Sequence, residues 1–387
     1  MNNHNARILF LDALRGYALL GLFLVHCVEM FEIVWLGNPF GNWAFDGTFA
    51  AFGGKAYAIF ALLFGVSFYL ILRGGEQRQQ DIRMQFLWRI SLLFVFGVLH
   101  GLLYSGDILQ ILALSGLVLL VLHRLPLWLL SLIAILLLLQ LPMLALALFR
   151  ESQAQFPMDT AVMSARDNLV LSTYKEGSLG DVLLINLWDG FVRKWQWFYQ
   201  YGRLFNVIGL TLAGYTLARV SFFTRQEQYR RVYWIALIAL IVVVELLQFS
   251  RDDILGLINL NYGAHYLPAA YGLIVNTGYA FITVLLGLVL YSFAVLQNGV
   301  LTLAPVGRMS LTVYLSQSLI CIPLFYGFGF NGWQWLNSVT ALTMGIAMWF
   351  VIMFAARWWM RRYYYGPAEW FWRACTLRDF SLPMNRD

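Results

Sequence analysis

Long apolar runs follow one another along the whole chain, separated by charged residues or by glycine and proline. A helix needs roughly 20 residues to cross a hydrocarbon core of about 30 Å, and most of these runs have that length. The pattern predicts an all-α fold, a polytopic transmembrane helical bundle of about ten spans with an additional outer interfacial helix. The predicted spans cover residues 8–31, 49–73, 84–104, 107–123, 126–149, 203–221, 232–249, 266–296, 308–328 and 338–359.

The arginines predict the orientation of this bundle. Cytoplasmic loops of membrane proteins carry an excess of Arg and Lys. Basic residues follow every even-numbered span, whereas the short exits of the odd-numbered spans, around Ser105, Arg251 and Asn331, carry one basic residue among them. Both termini are therefore predicted to be cytoplasmic. The basic residues at the even-numbered exits include Arg73, Arg78, Arg83, Arg89, Arg124, Arg219, Arg230, Arg231, Arg308, Arg357, Arg361 and Arg362.

The polar segment 150–202 interrupts this pattern and is predicted to be a long outer-side loop. Its end, DVLLINLWDGFVRKWQWFYQ, is amphipathic and rich in tryptophan, which favours a helix lying in the membrane interface over an eleventh span. The sequence contains no internal repeat, low-complexity tract or soluble domain. Residues 1–387 are therefore predicted to form a single transmembrane domain.

Composition supports a membrane protein and excludes several other classes. Hydrophobic residues make up 60% of the chain and charged residues only 12%, about half the usual share in soluble proteins. The net charge of +6 is explained by membrane topology, and no basic run with interleaved aromatic residues predicts nucleic-acid binding. The three cysteines form no CxxC pair, and HExxH, GxSxG, P-loop and GxGxxG motifs are absent, so no metal site is predicted.

Titratable residues within the apolar runs are candidates for function, because burying them in a membrane is costly. His26 and His100 are predicted to reach similar depths near the outer leaflet, at a rise of about 1.5 Å per residue along their helices. Asp107 follows in the outer turn, where it could orient a histidine or cap the next helix. A histidine with a carboxylate within reach can activate a hydroxyl or an amine as a general base. We therefore expect a catalytic group of His100, Asp107 and His26.

Four further ionisable residues have more than one interpretation. Asp12 and Arg15 lie three residues apart on one helix face, where they could bind substrate or form an ion pair that fixes helix depth. Lys55 could extend outward to solvent, neutralise Asp107 or bind an anionic substrate group. His265 follows an outer loop and could overhang the same outer mouth or have no role there.

Several stretches resemble the YeiB-like family of bacterial inner-membrane proteins, from end to end of the chain. The most specific are the box GRxSLTxYLxQS at residues 307–318 and the tail GPxEWxxR at residues 366–373. Others are LDALRGYALLGLFLVH, FGGKAYAIFALLFGVSFYL and FGVLHGLLYSGDILQILALSGL. The first helix is also similar to the transmembrane acyltransferase superfamily, whose D-x-x-R-G element corresponds to Asp12, Arg15 and Gly16.

The second resemblance implies a multi-pass protein of the bacterial inner membrane that transfers an acyl group from cytoplasmic acyl-CoA, such as acetyl-CoA, to a small-molecule or glycan acceptor outside. It implies a homodimer among membrane lipids. Arg15, Arg308 and Arg362 would receive the CoA phosphates. His26 stands where relatives usually have asparagine, and no histidine lies between residues 27 and 46, so His26 or His100 would have to act as the base.

Two other functions fit the same residues. The same polar residues could serve a transporter or a lipid-binding or small-molecule-binding membrane protein, since intramembrane histidines and aspartates also relay protons. A scaffold whose ion pairs only set helix register would need no ligand.

Overall fold

The computed structural model describes residues 9–37, 39–154, 160–224, 226–258 and 260–386, so the predicted helix start at residue 8 lies outside the described residues. The chain is all-α, as predicted. Its first half contains α1 (Leu9–Val28), α2 (Trp43–Phe52), α3 (Lys55–Gln77), α4 (Arg83–Leu103), α5 (Leu109–Leu122), α6 (Leu127–Leu138), α7 (Leu141–Ser152), α8 (Thr160–Glu176), α9 (Leu179–Ile185) and α10 (Phe191–Gln200).

The second half continues the helical pattern to the end of the described chain. It contains α11 (Arg203–Arg219), α12 (Gln226–Phe249), α13 (Arg251–Leu257), α14 (Tyr266–Tyr291), α15 (Ala294–Leu301), α16 (Ala304–Arg308), α17 (Ser310–Phe325), α18 (Ser338–Arg362) and α19 (Pro367–Leu377). Each of the ten apolar runs contains at least one of these helices.

Six helical stretches among the described residues are long and apolar enough to cross a membrane. They are Leu9–Leu36, Trp43–Gln77, Arg83–Leu103, Gln228–Phe249, Tyr266–Tyr291 and Ser338–Arg362. The run predicted as one span over residues 126–149 is divided into α6 and α7, which meet at an angle of 53° and would make a seventh span together. Helices α5 and α17 are apolar but shorter. The count of ten spans and the cytoplasmic termini stay predictions.

Glycines allow two pairs of helices to approach closely. A side chain at Gly65 of α3 would collide with the carbonyl of Thr211 in α11, and one at Gly214 of α11 would collide with the carbonyl of Leu62 in α3. Small residues of this kind are typical of tightly packed membrane helices. The pair α1 and α16 is built in the same way, since Gly307 lies against the backbone of Asp12. The two resembling boxes in the first helix and at residues 307–318 are thus in direct contact.

The segment 150–202 is largely helical rather than a loop. Its predicted interfacial helix is divided into α9 and α10 by a wide helical turn, Asn186–Gly190. The segment also packs onto the bundle: the side-chain amide of Asn186 donates a hydrogen bond to the carbonyl of Leu102 at 3.0 Å. We call this end of the bundle, with α8 to α10 above the turn between α4 and α5, the outer end, following the orientation that the arginines predict.

Helix α19 holds the start of α17 in place. The Glu369 carboxylate accepts hydrogen bonds from the backbone N–H of Leu311 at 2.6 Å and of Thr312 at 3.2 Å, and from the Thr312 hydroxyl at 2.6 Å. These contacts satisfy backbone donors that the first turn of a helix leaves without partners. Helix α17 is thereby fixed at the end from which Tyr314 extends into the candidate site.

Candidate functional site

The turn between α4 and α5 is buried, although the sequence places it in an outer loop. Tyr104 is 1% exposed and Asp107 is fully buried. Helix α5 has only 14 residues, or about 21 Å, which is shorter than a hydrocarbon core of about 30 Å. The turn therefore lies below the outer end of the bundle, and the outer segment covers it. The polar side chains of the turn, Ser105 and Asp107, are therefore shielded from solvent.

His100 and Asp107 form a hydrogen-bonded pair at the centre of this site. His100 Nδ1 lies 2.8 Å from Asp107 Oδ1, with the two side chains 4% and 0% exposed. Because a carboxylate oxygen only accepts hydrogen bonds, His100 donates from Nδ1, and the neutral form of the imidazole then presents Nε2 as an acceptor. Nε2 is buried and has no hydrogen-bond partner in the described chain. This is the arrangement of an imidazole that is oriented to take a proton.

Asp107 also caps the following helix, so both of its predicted interpretations apply. Its second oxygen accepts a hydrogen bond from the backbone N–H of Gln110 at 3.3 Å. Tyr314 of α17 reaches the same carboxylate, since its hydroxyl lies 3.5 Å from Asp107 Oδ1, and its ring centroid lies 5.1 Å from that of His100. Three helices therefore fix the orientation of the histidine–aspartate pair.

His26 belongs to the same region but is one side chain away from His100. Its Nδ1 lies 3.0 Å from the hydroxyl of Tyr104 and 3.3 Å from Glu29 Oε2. The ring of Tyr104 makes an edge contact with the ring of His100 at 6.1 Å between centroids. Tyr104 thus connects the two histidines whose similar depth the sequence predicts.

The outer segment contributes residues that the sequence did not single out. The guanidinium of Arg193 binds Glu32 at 2.5 Å and Asp167 at 2.7 Å. The hydroxyl of Tyr174 donates to Asn186 Oδ1 at 2.5 Å. The sequence pattern of α10 shows only that the helix is amphipathic. This pattern does not distinguish a helix that packs onto the bundle from one that lies in the membrane interface.

Lys194, next to Arg193, is a buried lysine of the outer segment that the sequence analysis also did not single out. It is 5% exposed and forms no hydrogen bond or ion pair within the described ranges. Its Nζ lies 3.8 Å from the point where a Cβ on Gly101 would be, so the glycine leaves space for it beside His100. Lysine is scarce in this chain, and that scarcity is the signal that could have drawn attention to Lys194.

Lys55 and His265 do not join this cluster. The Lys55 ammonium donates to the carbonyl of Ala50 at 2.8 Å, at the end of α2, and not to Asp107. His265 is exposed, and its ring lies 6.4 Å from that of Tyr201 between centroids. Within the described residues, no hydrogen bond or ring contact connects His265 to His100 or Asp107.

Asp12, Arg15 and Arg308 lie together at the opposite, predicted cytoplasmic, side. Arg15 binds Asp12 at 2.5 Å and the hydroxyl of Ser67 at 2.7 Å, so its charge is already compensated. Arg308 is half-buried directly after Gly307, at the contact between α16 and α1. This group of side chains fits an ion pair that fixes α1 better than a free phosphate site. Among the described residues, no cluster of three or more potential ligands could hold a metal ion.

The apolar helices and the buried polar site define an integral membrane protein. Over 400 residues the chain is 30% identical to the uncharacterized protein YeiB of Escherichia coli strain K12, with 95% of this chain and 96% of YeiB covered. The chain belongs to the YeiB-like family.

Two other comparisons agree with this assignment. The chain is 26% identical to the uncharacterized protein YxaH of Bacillus subtilis strain 168 over 410 residues, which cover 97% of this chain and 96% of YxaH. Residues 217–379 match the family described as protein of unknown function DUF418. That part begins at the end of α11 and includes α17 and the Glu369 tail, whereas His100, Asp107 and Lys194 lie before it.

Proposed function

We propose that this protein is an acyltransferase of the bacterial inner membrane and that His100 is its general base. The observation that carries the proposal is the buried pair of His100 and Asp107, with Nε2 of His100 left as an acceptor that has no partner in the described chain. Proton removal by a base held in this way typically contributes about 10²–10⁴-fold to a rate. The similarity of the first helix to acyltransferases suggests acyl-CoA as the donor.

The reaction requires a single proton acceptor at the site. His100 Nε2 takes the proton of an acceptor hydroxyl or amine while that atom attacks the thioester carbonyl carbon. The new acyl bond forms, the carbon–sulfur bond breaks, and the proton is delivered to the leaving thiolate to give free CoA. Asp107 holds the imidazole in the required tautomer and stabilises the positive charge that develops on the ring. Asp107 is therefore a positioning residue.

Arg15 is a poor candidate for binding the CoA phosphates, since it is paired with Asp12. Arg361 and Arg362 are exposed at the end of α18, and the guanidinium of Arg362 lies 4.4 Å from the ring of Trp358. We propose that these two arginines attract the donor at the cytoplasmic surface.

The test is CoA release by the purified full-length protein given acetyl-CoA and a cell-envelope extract as the source of acceptors. His100→Gln retains a hydrogen-bond donor for Asp107 but removes the base, and we expect its turnover to fall about 10²–10⁴-fold. His123→Gln is the matched control, because His123 lies at the other end of α5, where its Nδ1 contacts the carbonyl of Leu120 at 2.7 Å. Acetyl-CoA turnover that is absent in the wild type or unchanged in His100→Gln would refute the proposal. Proton-coupled uptake by proteoliposomes, lost in His100→Gln, would favour a transporter instead.

A further inference from the structure

The ammonium of Lys194 is buried without a counter-ion in contact. Moving an ammonium out of water costs several kcal/mol unless other groups replace its hydration. No described residue accepts a hydrogen bond from Lys194, and its Nζ lies 5.6 Å from the centroid of the Phe191 ring. Water or a bound ligand must therefore satisfy the three N–H donors of this side chain.

Other polar atoms around Lys194 also lack partners. His100 Nε2 and Gln110 Oε1 are both buried acceptors with no hydrogen bond in the described part of the chain. The amide nitrogen of Gln110 lies 3.1 Å from the position of a Cβ on Gly101, the same point that Lys194 approaches. That nitrogen donates to the carbonyl of Gly97 at 2.8 Å. Because buried polar atoms normally have partners, the unpaired Oε1 of the same Gln110 side chain and the unpaired Nε2 of His100, the residue before Gly101, indicate a ligand site.

The neighbouring carboxylates do not pair with Lys194. Glu32 binds Arg193, and Asp107 binds His100 and the backbone of Gln110. Burial lowers the pKa of Lys194 to about 8, while the charges of Asp107 and Glu32 oppose this shift. At neutral pH most of the lysine is therefore still protonated and able to bind an anion.

We propose that Lys194 binds an anionic oxygen of the ligand, while His100 and Gln110 accept hydrogen bonds from its hydroxyl groups. The ligand class is a small hydroxylated anion whose charged group is a carboxylate or a phosphate. That this ligand is the acyl acceptor rests on the proposed function, because a hydroxyl at His100 Nε2 would be the attacking group.

The test compares anionic probes with their neutral counterparts in the absence of any acyl donor. Full-length protein in detergent is titrated with glucuronate against glucose, and with glycerol 3-phosphate against glycerol, while tryptophan fluorescence is recorded. We expect the wild type to bind at least one anion about tenfold or more tightly than its neutral counterpart. The preferred pair distinguishes a carboxylate site from a phosphate site.

Two lysine variants assign this preference to one residue. Lys194→Gln should lose the preference for the anion. Lys175→Gln should keep it, because Lys175, in α8, lies 3.9 Å from the ring of Trp333 and not in the cluster. Lys194→Met serves if the glutamine variant fails to fold, since it replaces the buried charge with an apolar chain of similar length. Equal binding of anionic and neutral probes by the wild type, or an anion preference that persists in both Lys194 variants, would overturn the inference. Anion binding without acetyl transfer would support this inference and refute only the reaction.

Discussion

Glu369, which is half-buried, and the buried cluster around His100 are two polar groups that both contact the beginning of α17, and they differ in how completely their hydrogen bonds are satisfied. Glu369 accepts three hydrogen bonds from Leu311 and Thr312, and both of its oxygens are used. The cluster leaves His100 Nε2, Gln110 Oε1 and the Lys194 ammonium without partners in the described chain. A charge that is fully satisfied within the protein supports the fold, whereas atoms that stay unsatisfied indicate a place for a ligand.

The largest effect is expected at Asp107. Asp107→Asn retains an oxygen but adds an amide donor, which can bond to the other tautomer of His100 and take Nε2 out of its acceptor role. We expect acyl transfer to fall about 10²–10⁴-fold, the contribution of a correctly held base. The measurement is CoA release as a function of pH, alongside the thermal midpoint. A purely structural role would lower the midpoint and leave the pH profile of the remaining activity unchanged.

Glu369→Ala should act on stability instead. It leaves two backbone N–H groups and one hydroxyl without their acceptor, and each buried unsatisfied group costs about 1–3 kcal/mol. We expect the free energy of unfolding to fall by about 3 kcal/mol, with acetyl transfer per folded molecule nearly unchanged. The free energy of unfolding of both proteins is measured in detergent. Glu369→Gln, which keeps an acceptor, is the control and should lose less. A stable Glu369→Ala protein without activity would reverse the comparison between the two groups.

The pH dependence of Glu369 provides a second check. Burial raises the pKa of this carboxyl, although hydrogen bonds from Thr312 and Leu311 oppose the shift. A raised pKa means that the folded protein holds a proton which the unfolded chain has lost, so the contribution of Glu369 to stability falls as the pH rises from about 4.5 through the folded pKa. Glu369→Gln should remove this part of the stability profile. An identical profile in both proteins would show that folding does not raise the pKa of Glu369.

Anion binding at Lys194 should also weaken as the pH rises, but the change is expected in the affinity for the anion and not in the stability of the fold. The ammonium loses its proton as the pH rises through about 8, and the charges of Asp107 and Glu32 are those that oppose this loss. We expect the affinity for the anionic probe to fall about tenfold for each pH unit above 8. Titrations at pH 7, 8, 9 and 10 measure this. An affinity that stays constant to pH 10 would mean that Lys194 does not hold the anion.

The smallest effect is expected at Tyr104. Tyr104→Phe removes the hydroxyl that meets His26 but keeps the ring against His100. A single hydrogen bond contributes about 1 kcal/mol, so we expect less than a tenfold change in turnover. Steady-state kinetics measure this, and a loss as large as that of Asp107→Asn would move the chemistry from His100 toward His26.

The sequence predicts much of the fold and only part of the site. Periodic apolar runs determine the helices, and the spacing of His100, the turn and Asp107 predicts their proximity. His100 and Asp107 belong to one helical hairpin, so their proximity depends only on residues close together in the sequence. The positions of Lys194 and Tyr314 depend on long-range packing of α10 and α17, which neither periodicity nor motif can specify. Of the three interpretations of Lys55, the structure does not show the pairing with Asp107, because the ammonium donates to the carbonyl groups of Ala50 and Gly53 near the end of α2.

The choice between the two histidines tests the central claim most directly. Acetyl-CoA turnover is measured for His100→Gln and His26→Gln under identical conditions, normalised to folded protein. The buried pair of His100 and Asp107 predicts a loss of about 10²–10⁴-fold for His100→Gln and less than tenfold for His26→Gln. A larger loss in His26→Gln than in His100→Gln would contradict the assignment of His100 as the base.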